Sequence, residues 1–266
     1  MTDALVNADL ALILDAAREA GELILKRREA GLTVEYKAGG SPVSNADTEA
    51  DQLLQSRLMA ARPDYGWLSE EIADSTDRLE RKRIFLVDPI DGTRAYVKGR
   101  PWFAVSIAVV EDGAPIAGVV LAPALDETYT AALGQGAWLN GSAIAPSAAA
   151  SLEDCAMLGD EPMFLHPAWP TPWPKMRIET RNSIAYRLCL VASGAFDAAV
   201  APSGKSDWDL GAADLICREA GAVCCDSKGR AFVYNRPIPQ QTGLMAAAPA
   251  LAPLILERLR PIEWRS

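Results

Sequence analysis

The chain has 266 residues, half of them apolar and 23% charged, with 26 Lys and Arg against 35 Asp and Glu for a net charge of −9. At about 150 residues per domain this length makes one large domain or two fused lobes, and so acidic a surface argues against a binder of nucleic-acid polymers. The single histidine, His166, argues against a Ser-His-Asp triad, a zinc site of several histidines or a histidine relay, leaving chemistry mostly to carboxylates, hydroxyls, backbone amides and metal. A small phosphorylated substrate remains open, because a bound divalent cation reverses the local field.

Leu10, Ile13, Leu14, Ala17, Gly21, Ile24 and Leu25 recur at helical spacing and Gly31 marks a stop, which predicts an amphipathic first helix. This segment has early acids and no basic leader, so it does not read as a signal peptide. No apolar run approaches the roughly 20 residues needed to span a bilayer, and the expectation is a soluble, cytoplasmic protein. A turn-rich stretch from Lys37 to Asp47 precedes a second helix over about 48–61, with Leu53, Leu54 and Leu58 inward and Pro63 beyond its end. Residues 67–71 read as a short strand ending in Glu70 and Glu71. The run 78–83, basic residues interleaved with acid, reads as a solvated face. The apolar run 84–87 reads as a buried strand that delivers the chain into Asp88-Pro89-Ile90-Asp91-Gly92-Thr93.

From 103 to 140 the pattern becomes a β meander, with strands over 104–110, 115–123 and 127–133. The glycine-rich stretch 134–141 follows strands and opens no helix, so it reads as a hairpin turn, not a nucleotide loop. Residues 141–175, rich in Ala, Ser and Pro, predict a seam between lobes and a peripheral loop holding an exposed His166. Beyond it the signals alternate: helix 184–194, strand 198–201, helix 210–221, strand 222–225 and a closing helix near 251–259. The five cysteines are an odd number among apolar neighbours, without a C-x-x-C, and read as buried reduced thiols. The sum is a two-lobed mixed α/β protein, an α+β lobe over 1–142 and an α/β lobe over 143–266.

Asp88 and Asp91, three positions apart at a strand end with Pro89 and Gly92 shaping the turn, can converge on one point. Two such charges about 4 Å apart repel by roughly 4 kcal/mol at an effective dielectric of 20, a cost that a cation removes. A solvated turn also favours Asp, Pro and Gly. Three more acidic places stand nearby in the pattern: Asp47 ahead of a helix, Glu70-Glu71, and Asp207-Trp208-Asp209 opening another helix. Singly, each has a plain use, as a helix cap or a wet strand end; jointly they favour a metal site. All donors are oxygens, which selects Mg²⁺, with Mn²⁺ or Ca²⁺ as substitutes, over zinc. Magnesium with open water positions serves phosphoryl chemistry. The amides of Gly92 and Thr93 suit a phosphate, and the Thr93 hydroxyl can orient an attacking water beside a carboxylate base.

The motif Asp88–Thr93, the upstream Glu70-Glu71, and Trp208-Asp209 followed by Gly211-Ala212-Ala213-Asp214 and Glu219-Ala220-Gly221 resemble the inositol monophosphatase superfamily, colinear from about Asp9 to Ala250. The resemblance implies a layered αβαβα sandwich of the inositol monophosphatase and fructose-1,6-bisphosphatase type. It also implies a Mg²⁺-dependent, lithium-sensitive phosphomonoesterase using two or three ions. By motif, Glu70, Asp88 and the carbonyl of Ile90 would hold one metal, and Asp88, Asp91 and Asp209 a second, with Glu70 bordering a third. Asp47 and Thr93 would activate water, and the Gly92 and Thr93 amides would bind phosphate. The first lobe would then carry most ligands and the second would supply Asp209 and substrate contacts.

Within the superfamily, Lys37, Ser41-Pro42-Val43, Ala46-Asp47 and Asp91-Gly92-Thr93-Arg94 with Tyr96-Val97-Lys98 most resemble bacterial 3'(2'),5'-bisphosphate nucleotidases. Inositol phosphatases usually place a Glu shortly before the Trp-Asp pair; residues 201–206 contain no acid. Arg94 or Lys205 would instead meet a second phosphate. Ala95 departs from the nucleotidase pattern, in which many members carry an acid there. The implied partner is a small phosphorylated metabolite, adenosine 3',5'-bisphosphate ahead of inositol, sugar or histidinol phosphates, for a monomer or homodimer. A metal-binding pseudoenzyme is the non-enzyme alternative, opposed by the presence of Asp91, Thr93 and Asp209.

Overall fold

A computed structural model describes residues 3–37, 39–167 and 169–262. Helix α1 (Asp3–Ala30) buries Ile13, Ala16, Ala17, Ala20, Gly21 and Ile24. The small residues bring it close to its neighbours: a Cβ on Gly21 would lie 2.8 Å from the Leu121 side chain. β1 (Val34–Tyr36) and β2 (Pro42–Ser44) make a short antiparallel hairpin from the turn-rich stretch. α2 (Asn45–Ala61) starts at Asn45, not near 48, because Ser44 and Asp47 close a capping box around its first turn. Asp47 therefore sits inside the helix rather than ahead of it.

The large sheet takes its strands in chain order: β3 (Gly66–Ser69), β4 (Arg83–Asp91), then, after the short helix α3 (Thr93–Val97), β5 (Ala104–Glu111), β6 (Ala114–Ala122), β7 (Glu127–Ala132), β8 (Ala137–Leu139) and β9 (Ser142–Ala143). The β3–β4 pair is parallel and the rest antiparallel. All nine residues of β4 are buried, as a strand covered on both faces requires. The strand does not stop at Val87. Its pairing with β5 shifts between Asp88 and Asp91 and then resumes, an irregularity that re-aims side chains. The expected six-residue turn shrinks to Gly92, at φ +93°. The hairpin reading of 134–141 holds: Asn140 and Gly141, both at positive φ, join β8 to β9.

The remaining elements are β10 (Ala156–Leu158), α4 (Glu161–Phe164), β11 (Arg177–Glu179), α5 (Ile184–Ala192), β12 (Ala198–Ala201), β13 (Lys205–Ser206), α6 (Asp207–Ala220), β14 (Val223–Cys225), β15 (Gln240–Gln241), β16 (Leu244–Ala247) and α7 (Ala252–Leu259). A second sheet runs β11-β10-β12-β16-β14, and β13 pairs with β15 in a separate ribbon. Strands β10, β11 and β16 were not expected, being too short to show a period in a stretch dominated by small residues.

Three cores define five layers. α1 and α2 pack on the outer face of the large sheet, α5 and α6 lie between the sheets, and α7 covers the second sheet. All five cysteines are buried and unbridged, and no described helix is long and apolar enough to cross a membrane.

The solvated reading of 78–83 is wrong at two positions. Arg78 is 2% and Arg83 7% exposed, because each has distant partners: Asp9 and Glu111 for Arg83, Asn235 beside Asp74 for Arg78.

Candidate active site

Asp88 and Asp91 on β4 and Asp209 on α6 each present a carboxylate oxygen within 4.8 Å of the others. The neighbours hold these carboxylates in place. Asp88 Oδ1 accepts the Ile90 amide at 3.0 Å. Asp91 Oδ2 accepts the Ser183 hydroxyl at 2.5 Å and the Ala185 amide at 2.6 Å, at the start of α5. Asp209 Oδ2 accepts the Ser206 amide at 2.9 Å in the α6 capping box. The capping and site readings of Asp209 are compatible, since a carboxylate offers two oxygens.

Burial pushes the Asp88 carboxyl well above its ordinary range, and the charges of Glu70, Asp91 and Asp209 push it further. Burial, then Asp91 and Glu70, raises Asp209 to about 8. Burial raises Asp91 to about 6 against the pull of Ser183 and the α5 amides. Two buried carboxylates and a half-buried one, converging with oxygen donors only, are the donor set of a hard divalent cation.

Asp47 stands one step behind this triad. Thr93 Oγ1 donates to its Oδ1 at 2.9 Å and lies 3.0 Å from the Ile90 carbonyl. Asp47 Oδ2 meanwhile accepts the Ser44 amide at 2.8 Å and hydroxyl at 2.6 Å. Gly92 begins α3 with no room for a side chain: a Cβ would lie 2.9 Å from the Ser183 nitrogen and 3.0 Å from the Trp102 carbonyl. The first amides of a helix have no partner within it, and Gly92 and Thr93, where α3 starts, line the cleft with Asp88 and Asp91.

Glu70 lines the same cleft of about 180 Å³ but stays outside the tight triad. Its Oε1 takes Lys37 Nζ at 3.0 Å, and the same amine reaches Glu71 at 2.8 Å.

A larger cleft of about 940 Å³ adjoins the first through Ser41, Arg94, Asn182 and Asp209, and brings in Arg187, Lys205, Asp160 and Met163. Lys205 Nζ rests on the Ser203 hydroxyl at 2.7 Å, and burial pushes its pKa down. Arg94 is exposed. Arg187 donates through Nε to the Arg181 carbonyl at 2.5 Å, and burial lowers its pKa too.

The structure thus sets Glu70, Asp88, Asp91, Gly92, Thr93, Arg94 and Asp209 around one cleft, with Asp47 and the Ile90 carbonyl behind it on the Thr93 hydroxyl, and places Lys205 in the neighbouring cleft. Sequence reasoning missed Ser183, Arg187 and the pairing of Lys37 with Glu70. Ser183 was legible only as a cap before an apolar helix.

A layered α/β sandwich that sets an oxygen-donor acid cluster beside a helix start could hold a divalent cation at that cleft. The chain belongs to the inositol monophosphatase family, whose model matches residues 7–263, and it is a phosphoric monoester hydrolase of that Mg²⁺-dependent kind. The histidinol-phosphatase of Chlorobaculum parvum is 36% identical over 238 residues, covering 86% of this chain and 90% of that protein. The inositol-1-monophosphatase of Mesorhizobium japonicum is 34% identical over 235 residues, covering 84% and 87%. The structure of a Thermotoga maritima IMPase matches with a TM-score of 0.82 at 27% identity, covering 96% and 97% of the two chains.

Proposed function

We propose that the protein removes one phosphate from a small metabolite carrying two, a nucleoside 3',5'-bisphosphate such as adenosine 3',5'-bisphosphate, leaving AMP. The observation that carries this reading is the placement of Arg94, Arg187 and Lys205 around the cleft adjoining the acid triad. Arg187 and Lys205 line the larger cleft only, while Arg94 borders both. A second phosphate on the same molecule would meet them in charge-assisted hydrogen bonds, and about 940 Å³ is ample for a nucleoside.

In this reading Glu70, Asp88 and the Ile90 carbonyl would hold one Mg²⁺, and Asp88, Asp91 and Asp209 a second. Glu70 would border a third position, and Mn²⁺ would substitute. Such cations would supply acidified water and neutralise charge on the phosphate. The Thr93 hydroxyl, its proton directed at Asp47 Oδ1, offers lone pairs that orient an attacking water, and Asp47 receives the proton released. The Gly92 and Thr93 amides receive phosphate oxygens.

A second reading, histidinol phosphate, is favoured by the 36% identity to a histidinol-phosphatase. Asp160 on the cleft wall would meet the substrate ammonium there. Three neighbouring cations oppose that charge, which ranks this reading second.

The test is phosphate release with Mg²⁺ from adenosine 3',5'-bisphosphate, histidinol phosphate, inositol 1-phosphate and 5'-AMP. A kcat/KM preference of about 100-fold or more for the bisphosphate is expected, equivalent to about 2.7 kcal/mol. Arg187→Ala and Lys205→Ala should each raise KM for the bisphosphate about tenfold more than for a monophosphate. A preference for histidinol phosphate would replace the first reading with the second. Asp88→Asn should lower turnover of every substrate by about 10³-fold or more while leaving a folded protein; near-normal activity would remove the acids from metal binding.

A further inference from the structure

Arg78 lies in the short 3₁₀ helix Thr76–Glu80, between β3 and β4, and its side chain is 1% exposed. Its guanidinium grips Asp74 with two bonds, 2.6 Å from Nε and 2.8 Å from Nη2. The rest of the fork reaches across the molecule, to Asn235 Oδ1 at 2.6 Å and the Arg236 carbonyl at 3.1 Å. Asn235 has φ +57°, and its backbone amide donates to Asp207 Oδ2 at 3.0 Å. The other oxygen of Asp207 accepts Gln241 Nε2 at 2.7 Å, and the Asp207 amide donates to the Pro239 carbonyl at 3.0 Å. The loop 233–241 is therefore wrapped around the first residue of α6, and Arg78 fastens that loop to the segment joining β3 and β4.

Two residues past Asp207 stands Asp209, the one member of the acid triad that does not come from β4. Lys205, just before α6, pairs in register with Gln241. One loop thus sets both the acid and the cleft lysine. On its other side, Arg78 packs so closely on β3 that a Cβ on Gly66 would lie 2.9 Å from the Arg78 Cβ; β3 leads into Glu70. An ion site tolerates about 0.5 Å of misplacement among its ligands, and α6 shares no backbone continuity with β4 that would hold Asp209 to such a tolerance.

We propose that Arg78 and Asn235 are positioning residues that lock the start of α6, and through it place Asp209 and Lys205 against the Asp88–Asp91 pair. The proposal rests on the reading of Asp209 as a metal ligand. Arg78 touches no reacting atom. Its planar fork can satisfy Asp74, Asn235 and a carbonyl at once, which a lysine ammonium on a flexible stem cannot reproduce.

The test compares wild type with Arg78→Lys and Asn235→Gly, the latter keeping the positive φ without the side chain. The control is Arg83→Lys, another buried arginine whose partners are Asp9 and Glu111. The readout is the Mn²⁺ concentration giving half of the maximal thermal stabilisation, alongside the Mg²⁺ concentration giving half-maximal phosphatase activity. Arg78→Lys and Asn235→Gly should raise both by about tenfold, the usual effect of losing a group that orients a ligand, with kcat at saturating metal nearly retained. Arg83→Lys should lower the melting temperature with neither concentration changed.

Unchanged half-saturation in Asn235→Gly, or an equal shift in Arg83→Lys, overturns the proposal while leaving the metal site standing. If Arg78→Lys does not fold, the Asn235→Gly result decides. Absence of any Mn²⁺ stabilisation in wild type overturns the metal reading itself, a separate failure visible before any variant is made.

Discussion

Asp47 and Asp209 both stand third in their helices and cap them through Oδ2; Asp47 gives its other oxygen to the Thr93 hydroxyl, and Asp209 also joins the acid triad. Their identity as acids at helix starts was legible from residue type alone; the second use was not, because it depends on groups far away in the chain. Asp51, one turn beyond Asp47, is fully buried and accepts the Ser69 hydroxyl at 2.7 Å. Burial raises its pKa to about 6. The native state then keeps a proton that the unfolded chain has already lost. Stability falls as pH rises from about 4 to about 6 and levels off above, by about 3 kcal/mol from this group. Asp51→Asn should remove that part of the slope in urea unfolding without metal, matching wild type near pH 4 and exceeding it at pH 7.5. An unchanged slope would show that Asp51 titrates normally.

At the scale of elements, the long helices and the β4–β7 meander carry enough periodic residues to declare themselves, whereas β10 and β11, of three residues each, do not. Nor did the sequence tell where β4 ends, because its last residues, Asp88 to Asp91, are typical of a turn and are kept in the strand only by pairing with β5. The seat of α6 was equally hidden. A Cβ on Gly211 would lie 2.5 Å from the Leu86 side chain, and one on Gly118 would lie 2.9 Å from the Ala212 carbonyl and 3.0 Å from its Cα. The second contact is backbone and cannot yield by a rotamer change. Gly118→Ala should therefore cost about 1–3 kcal/mol in chemical denaturation and, by lifting α6, raise the Mg²⁺ needed for activity. A variant as stable as wild type would mean that α6 can slide on the sheet freely.

At the scale of the whole molecule, the large sheet delivers Asp88 and Asp91, while α6 and the start of α5, lying between the two sheets, deliver Asp209 and Ser183. Packing of three cores holds like charges together against their repulsion, so the cation that we propose there should stabilise the fold. At 100 times its dissociation constant, Mg²⁺ should add about 2.7 kcal/mol, seen as a higher melting temperature that a chelator reverses. Asp88→Asn should lose this response and, with one charge fewer, melt higher than wild type in chelator. An identical response in Asp88→Asn would place the ion elsewhere.

By itself the sequence determined the oxygen-only chemistry, the positions of the principal helices and strands, and the motifs that mark the family, since each is written in composition or within a few neighbouring residues. Only the tertiary structure decided that Ser183 holds Asp91 across 92 positions, that Arg78 is buried against Asn235 across 157, and that Arg187 shares a cleft with Lys205 and Arg94. The physical reason is the range of the interactions. Helix periods and turns are set by bonds between near neighbours, while a charge buried or exposed, paired or alone, is settled by whichever distant segment the packing of the layers brings beside it.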